Sequence, residues 1–298
     1  MMTIKNVGFI GIGNMGKPMV RNLLNAGYPI KAFDLDGSAM DAAVEAGAEA
    51  TSSAKDAAMD VDAVVTMLPS GKHVCDVYLG ERGVIAGAKE NTLLIDSSTI
   101  DVETARDVSE AATSARLDMV DAPVSGGVAG AEIAALTFMV GGSEEAFERA
   151  TPLLKTMGKT IIHAGGAGTG QAAKICNNMI LGLSMIGISE AFILAERLNL
   201  DAQKLFDIAS KASGQCWALT TYCPVPGPVP TSPANRDYQP GFTAEMMLKD
   251  LRLSQEASQK VGVATPLGAA ATAIYTLYAN SGHAKTDFSG IINMIRGE

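Results

Sequence analysis

The sequence is poor in cysteine, histidine and aromatic residues. Its 298 residues include 4 cysteines, 3 histidines and 5% aromatics. No two cysteines form a C-x-x-C pair, and the histidines do not cluster with them at zinc-ligand spacings, so we expect no metal site. We expect the thiols to be reduced, as in an intracellular protein. They are Cys75, Cys176, Cys216 and Cys223.

Basic residues are also in the minority. Lys and Arg total 23 against 32 Asp and Glu, which gives a formal net charge of -9. This balance argues against broad electrostatic binding to nucleic acid or anionic lipid, although a local basic pocket for a small anion stays open. Residues Met1 to Lys5 run directly into a strand pattern, so we expect no export or organelle signal and a cytoplasmic location.

What the chain has in quantity is apolar residues, at 47%. Over residues 4–163, short Val- and Ile-rich runs alternate with helix-like stretches, a rhythm typical of a parallel, doubly wound α/β sheet. From Gly168 onward only helical patterns follow, beginning with one long helix near 169–198. We therefore predict a sheet domain over 1–164 and an all-helical domain over 165–298, joined by that helix.

The long helix raises the question of a membrane span. Its stretch 179–194 is apolar, but polar residues interrupt or flank it, including Ser184, Glu190 and Glu196. We interpret it as a helix buried in the core of a soluble protein or in a subunit interface. An apolar helix that needs a partner surface leads us to expect a homodimer or homotetramer.

A glycine motif follows the first predicted strand. Gly11, Gly13 and Gly16 give the spacing G-x-G-x-x-G directly before a helical pattern, with Asn14 and Met15 between them. In this context the glycines permit a tight turn, approach of a pyrophosphate and close helix packing. Asp34 ends the second predicted strand, where its carboxylate suits a ribose and repels a 2′-phosphate. The pattern therefore favours NAD over NADP as cofactor.

Two later segments carry candidate chemistry. Ser125, Gly126 and Gly127 follow an apolar strand and offer a hydroxyl and two unhindered N–H groups, which suits either a substrate carboxylate or a plain turn. Lys174 and Asn178 lie four residues apart, on one face of the long helix. The lysine either extends to solvent or is held in a partly buried site. Beside a cofactor, desolvation would lower its pKa and make it a general base.

Four motifs in order along the whole chain resemble those of the β-hydroxyacid dehydrogenases. They are G-x-G-x-M-G at 11–16, D-A-P-V-S-G-G at 121–127, G-x-G-x-x-x-K-x-x-N-N at 168–178 and K-D-L at 249–251. Segments 213–217, 224–227 and 286–289 are most similar to the branch that oxidises 3-hydroxyisobutyrate. The resemblance implies a Rossmann domain, a helical domain that packs between subunits, and NAD-dependent oxidation of 3-hydroxyisobutyrate to methylmalonate semialdehyde in valine breakdown.

The resemblance also implies roles for single residues. Lys174 would be the general acid and base. Ser125, Gly126, Gly127 and Asn178 would hold the substrate carboxylate and hydroxyl, and Asp250 would close over the site. Besides the glycine motif and Asp34, the positions that match cofactor-binding positions are Leu68, Pro69, Thr99, Phe242 and Lys249.

The sequence departs from the family at one point and leaves other functions open. Ala134 stands where the family usually has glycine, which could alter the turn after the substrate loop. The alternatives are a related reductase, acting on tartronate semialdehyde, glyoxylate or succinic semialdehyde, and a catalytically silent NAD-binding subunit. A decarboxylating phosphogluconate dehydrogenase would need more basic residues. Retention of Lys174, Asn178 and Ser125 argues against the silent subunit.

Overall fold

A computed structural model describes residues 4–297 of the chain. Residues 1–3, on which the expectation about a leader segment partly rests, lie outside the described residues. Nine strands fall in the first part of the chain. They are β1 (Val7–Ile10), β2 (Ile30–Phe33), β3 (Glu49–Ala50), β4 (Ala63–Thr66), β5 (Leu93–Asp96), β6 (Asp118–Asp121), β7 (Val124–Ser125), β8 (Leu136–Gly141) and β9 (Gly158–Gly165).

These strands form one sheet in the order β3-β2-β1-β4-β5-β6-β8-β7, with β9 paired to β8. The pairings from β3 to β6 are parallel, and so is that of β8 with β9, whereas β8 runs antiparallel to β6 and β7. β1, β4 and β5 are buried along their whole length, as expected of parallel strands covered on both faces. The predicted α/β class is confirmed, with a mostly parallel sheet.

Eight helices connect these strands. Two apolar clusters form the core of this part of the chain. Phe9 and Phe138 belong to one cluster, and Val64 and Leu94 to the other. Several helices begin at a side chain that accepts a backbone N–H, such as Asp101 before α6 and Ser143 before α8. The helices are α1 (Gly16–Asn25), α2 (Gly37–Glu45), α3 (Ala54–Ala58), α4 (Gly71–Leu79), α5 (Val84–Gly87), α6 (Val102–Ser114), α7 (Gly127–Glu132) and α8 (Glu144–Leu154).

The remainder of the chain is helical, as predicted. Its helices are α9 (Thr169–Arg197), α10 (Ala202–Ala209), α11 (Trp217–Thr220), α12 (Ala244–Val261), α13 (Pro266–Tyr278) and α14 (Ile291–Arg296). Residues 224–230, rich in proline, form irregular chain, because proline lacks the N–H that a helix interior needs. Val225 and Val229 in that segment are nevertheless buried in an apolar cluster of this part.

The long helix α9 has 29 residues and is apolar enough to cross a membrane by length and composition, with 39% of its most apolar window buried. One such helix is weak support for a membrane span. Met185, Ile186 and Phe192 on α9 pack into apolar clusters with the later helices. α9 therefore serves as a core helix of the second part of the chain.

The described chain forms two compact units that divide between Lys174 and Ile175, inside α9. The sequence pattern places the boundary between residues 164 and 165, where the sheet ends. The boundary between residues 164 and 165 stays a prediction, because α9 begins in the first unit and continues into the second.

The beginning of α9 is held by a buried carboxylate at the end of β6. Asp121 accepts hydrogen bonds from the backbone N–H groups of Gly168 (2.7 Å) and Gln171 (2.8 Å). The first N–H groups of a helix have no partner within the helix, and a negative charge there is favoured by the helix dipole. Burial raises the pKa of Asp121 from 3.8 to about 6, while the two backbone hydrogen bonds act to lower it.

This raised pKa predicts a pH-dependent stability. Since the folded pKa of Asp121 lies above the unfolded value, the native state binds the proton more tightly, and the free energy of unfolding falls as pH rises from about 4 to about 6. A gap of about two pH units corresponds to about 3 kcal/mol. Asp121→Asn cannot ionise, so urea denaturation should show a smaller fall for this variant across the same range. Parallel curves for variant and wild type would contradict the prediction.

Candidate active site

The predicted cofactor residues of the first unit follow neighbouring parallel strands. The glycine motif follows β1, Asp34 follows β2, Leu68 and Pro69 follow β4, and Thr99 follows β5. Carboxyl ends of parallel strands meet at the same edge of a sheet, and the crevice outside that edge is where open α/β sheets bind ligands. The structure therefore brings these predicted residues to one edge.

The turn from β1 into α1 needs glycine at two positions. Gly11 has φ of 91°, a left-handed conformation, and a Cβ there would meet the carbonyl group of Met67. A Cβ on Gly16 would collide with the carbonyl oxygen of Gly11. Around Gly13, by contrast, a Cβ would meet nothing within 4 Å. The first and third glycines serve the turn itself, and the second leaves open space beside it.

Asp34 is bonded to the same turn. Its Oδ2 accepts the N–H of Ile12 at 2.5 Å, and its Oδ1 accepts the N–H of Asp36 at 2.9 Å. An ionised carboxylate has about four acceptor positions, so both oxygens can still accept a ribose hydroxyl. The next side chain, Leu35, is 89% exposed and carries no positive charge for a 2′-phosphate.

These features fit a dinucleotide. The N-cap residue of α1, Met15, makes no side-chain hydrogen bond to the helix, so its side chain does not compete with an anion at the first turn. Gly13 leaves open space beside the turn, and the oxygens of Asp34 keep acceptor positions for a ribose hydroxyl. The glycine turn and Asp34 are therefore suited in type and placement to hold a dinucleotide.

A buried polar network lies behind the loops after β4 and β5. Asp96 at the end of β5 accepts hydrogen bonds from the hydroxyls of Thr66 (2.7 Å) and Ser98 (2.5 Å). Ser98 in turn accepts the N–H of Leu68 at 2.8 Å, and Thr66 contacts the Tyr78 hydroxyl at 2.9 Å. Burial raises the pKa of Asp96. The network joins the two loops that carry Leu68 and Thr99.

The predicted substrate loop follows β6 and β7. Ser125 ends β7, and both glycines after it have left-handed φ values, 130° at Gly126 and 60° at Gly127. Ala134 has φ of 53°, a conformation that glycine adopts more easily. The turn at Ala134 is thus left-handed although alanine replaces the family's usual glycine.

Lys174 lies in the second turn of α9. It is buried, with 7% of its surface exposed, so this lysine is one of the few charged residues inside the described chain. One turn earlier, Gln171 is fully buried. One turn later, the helical spacing carries Asn178 on the same face of α9.

In the second unit, three predicted residues come together. Asn178 donates from Nδ2 to Oδ2 of Asp250 at 2.5 Å, and both side chains are buried. Lys249 Nζ lies 3.5 Å from Oδ1 of Asp250. Asp250, on α12, therefore fixes the orientation of the Asn178 amide from the neighbouring helix.

Phe242 lies on the loop before α12. The backbone of this loop is hydrogen-bonded to a carboxylate. Asp287 accepts the N–H groups of Gly241 (2.9 Å) and Phe242 (3.2 Å) and the hydroxyl of Tyr222 (2.9 Å). Phe242 packs edge-on against Phe288, with ring centroids 5.7 Å apart. Burial raises the pKa of Tyr222, and the nearby Asp287 raises it further.

Several residues that support the site are not among the residues predicted from the sequence. They are Asp96, Ser98, Gln171 and Asp287. A signal was present, because D-x-S occurs at 96–98 and again at 287–289, and in both segments the Asp side chain accepts the N–H and the hydroxyl of that Ser. No group of three or more His, Cys, Asp or Glu suited to a metal occurs within residues 4–297.

Comparison with known families matches nearly the whole chain. Residues 6–166 match the family described as the NAD binding domain of 6-phosphogluconate dehydrogenase. Residues 168–295 match the family described as the NAD-binding domain of NADP-dependent 3-hydroxyisobutyrate dehydrogenase. The first match confirms the predicted NAD-binding domain.

Individual relatives are similar over their full length. A probable 3-hydroxyisobutyrate dehydrogenase of Mycobacterium tuberculosis is 50% identical over 290 residues, 97% of each chain. An NAD-dependent L-serine dehydrogenase of Pseudomonas aeruginosa is 48% identical over 286 residues, 96% of each chain. A solved structure of the M. tuberculosis 3-hydroxyisobutyrate dehydrogenase with L-serine has a TM-score of 0.94 and 49% identity, covering 99% of this chain and 100% of that one.

These matches confirm the resemblance found in the sequence motifs. They also agree with the sheet, the glycine turn and the helical second unit described above. The chain belongs to the NAD-dependent 3-hydroxyisobutyrate dehydrogenase family of oxidoreductases.

Proposed function

We propose that this protein oxidises 3-hydroxyisobutyrate to methylmalonate semialdehyde with NAD, a step of valine breakdown. The observation that carries the proposal is Lys174, a lysine buried in the second turn of α9 in a chain that is 50% identical to a probable 3-hydroxyisobutyrate dehydrogenase. A buried position suits a general base, because desolvation disfavours the charged form of an amine.

The residues that would hold the cofactor are those of the glycine turn with Asn14 and Met15, the carboxylate of Asp34, and the loops with Leu68, Pro69 and Thr99. The family resemblance adds Phe242 and Lys249 to these candidates. When bound, NAD supplies the acceptor for the hydride that leaves the alcohol carbon.

Lys174 would handle the proton. As the alcohol is oxidised, its O–H proton passes to the neutral Nζ of Lys174 while the C–O single bond becomes the carbonyl of the semialdehyde. In the reverse direction the ammonium returns that proton to the carbonyl oxygen. A general acid or base of this kind contributes a rate factor on the order of 10² to 10⁴.

Substrate orientation would come from two places. Ser125 with the N–H groups of Gly126 and Gly127 would bind the carboxylate, since a left-handed backbone pair presents N–H groups to an anion. Asn178, fixed by Asp250, would bind the hydroxyl or carboxylate as well. A hydroxyacid must be held at both ends for its C–H bond to reach the cofactor.

L-serine is the second candidate substrate. It shares the 3-hydroxyl and the carboxylate with 3-hydroxyisobutyrate, and it differs in its 2-substituent. One relative, 48% identical, is an NAD-dependent L-serine dehydrogenase, and a solved relative was determined with L-serine.

The substrate is tested by initial rates of NADH formation with 3-hydroxyisobutyrate, L-serine, glycerate, 3-hydroxypropionate and 4-hydroxybutyrate, with NAD and NADP compared. We expect 3-hydroxyisobutyrate with NAD to give the highest kcat/KM. Lys174→Ala should lower kcat by a factor on the order of 10² to 10⁴, since it removes the general base. Higher kcat/KM with L-serine would replace the proposed substrate, and an active Lys174→Ala would contradict the proposed base.

Two glycine variants test the assigned cofactor turn. Gly16→Ala should lower the melting temperature of the cofactor-free protein, because the new Cβ collides with the carbonyl oxygen of Gly11. Gly13→Ala should keep that melting temperature, because its Cβ meets no atom within 4 Å, yet weaken NADH binding by hindering the pyrophosphate. The measurements are thermal unfolding and NADH fluorescence titration. Unchanged NADH affinity in Gly13→Ala would contradict the assignment.

We also infer a homodimer or homotetramer in the cytoplasm. The free thiols of all four cysteines suit a reducing compartment. Large apolar side chains of the second unit stay exposed in the single chain, among them Ile180, Leu267 and Leu277. Such exposure is typical of a surface that another subunit covers.

Light scattering tests the oligomer. The measured mass should be twice or four times the chain mass of 30.8 kDa. A mass of one chain at micromolar concentration would contradict the inference.

A further inference from the structure

The side chain of Gln171 bonds the start of α9 to the loop after β5. Its Oε1 accepts the backbone N–H of Ile100 at 3.1 Å, and its Nε2 donates to the backbone carbonyl of Ser98 at 2.8 Å. If the amide were flipped, its NH₂ group would face the N–H of Ile100 and its oxygen would face the carbonyl of Ser98. The orientation of the Gln171 amide is therefore fixed. Gln171 is thus hydrogen-bonded to the backbone on both sides of Thr99.

The backbone of Gln171 is held as firmly as its side chain. Its N–H donates to Asp121 at the end of β6, and the residue has no exposed surface. Buried amides that satisfy two backbone groups are costly to replace, since each lost partner leaves a desolvated polar group. Two strands of the sheet, β5 and β6, therefore determine where this turn of α9 lies.

Lys174 comes three residues after Gln171, one helical turn further along α9. Thr99 lies between the two residues whose backbone groups bond to Gln171, and it is assigned to the cofactor. Ser98 continues the connection, because its hydroxyl accepts the N–H of Leu68 on the other cofactor loop. Gln171 and Ser98 therefore connect the turn of α9 that carries Lys174 to the two loops that carry Leu68 and Thr99.

We propose that Gln171 is a positioning residue of the dehydrogenase, whose side-chain amide fixes the helical turn of the general base Lys174 against the cofactor loop at Thr99. The proposal rests on the role of Lys174 proposed above. The residue itself exchanges no proton with the substrate. It keeps the base and the cofactor loop in a fixed relative position. Small displacements of reacting groups can cost a factor of about 10² in rate.

Gln171→Met tests the proposal, because methionine has a similar length and makes neither hydrogen bond. We expect kcat to fall by a factor on the order of 10 to 10² while the NADH dissociation constant changes less than about threefold. The deuterium isotope effect on kcat, with substrate labelled at the oxidised carbon, should rise because hydride transfer becomes slower than product release. In the cofactor-free protein, the Ile100 amide should exchange with deuterium faster.

The matched control is Thr92→Val at the opposite end of β5. It removes one buried hydrogen bond, from the Thr92 hydroxyl to the carbonyl of Val61 at 3.2 Å, with little change in shape. Thr92→Val should lower the melting temperature yet keep the wild-type kcat and isotope effect. Loss of kcat in both variants in proportion to their loss of melting temperature would overturn the proposal.

Gln171→Glu provides a second variant that separates position from stability. Only a protonated glutamate can donate to the Ser98 carbonyl and accept from Ile100, so its kcat relative to wild type should rise as pH falls. A ratio independent of pH, or a Gln171→Met with wild-type kcat and isotope effect, would overturn the proposal. Rates are measured with whichever hydroxyacid the wild type oxidises best, so a different substrate would refute the proposed substrate and leave this test intact. Amide exchange needs no substrate at all.

Discussion

The placement of α9 depends on one buried carboxylate. Asp121 ends β6 inside the protein, and its two oxygens accept the N–H groups of Gly168 and Gln171. Those groups would otherwise be unpaired in a region without water, at a cost of about 1 to 3 kcal/mol each. Because a helix is rigid over its first turns, fixing its start also fixes the backbone of Lys174. The chemistry proposed for the lysine therefore begins with a hydrogen bond made by another residue.

The same principle recurs around the candidate site. Asp96 holds the loop after β5 through Ser98, and Asp287 holds the loop before α12 through the backbone N–H groups of Gly241 and Phe242. In the second unit, Asp250 orients the amide of Asn178. Four acidic side chains thus position groups assigned to substrate or cofactor. Buried carboxylates suit this task, since charge-assisted hydrogen bonds are shorter and stronger than neutral ones.

The helical unit combines a well-packed interior with an apolar exterior. Met185, Tyr275 and Phe288 lie in its core, whereas Ile180 and Leu277 on the same helices as Met185 and Tyr275 remain exposed. A helix that is apolar on more than one face suits burial on more than one side. This distribution supports the inference of an oligomer.

The sequence by itself determined the α/β class, the order of the elements, the NAD-binding turn and the family. These are written in local patterns: apolar runs of strand length, the G-x-G-x-x-G spacing and motifs in fixed order. Only the tertiary structure decided how β8 runs relative to β6, and that Gln171 meets Ser98 and Ile100, about 70 residues earlier. The distant partners of Asp96, Asp121 and Asp287 were equally absent from the sequence patterns. A hydrogen bond between distant residues leaves no spacing in the chain, because its geometry exists only after the strands and helices have packed.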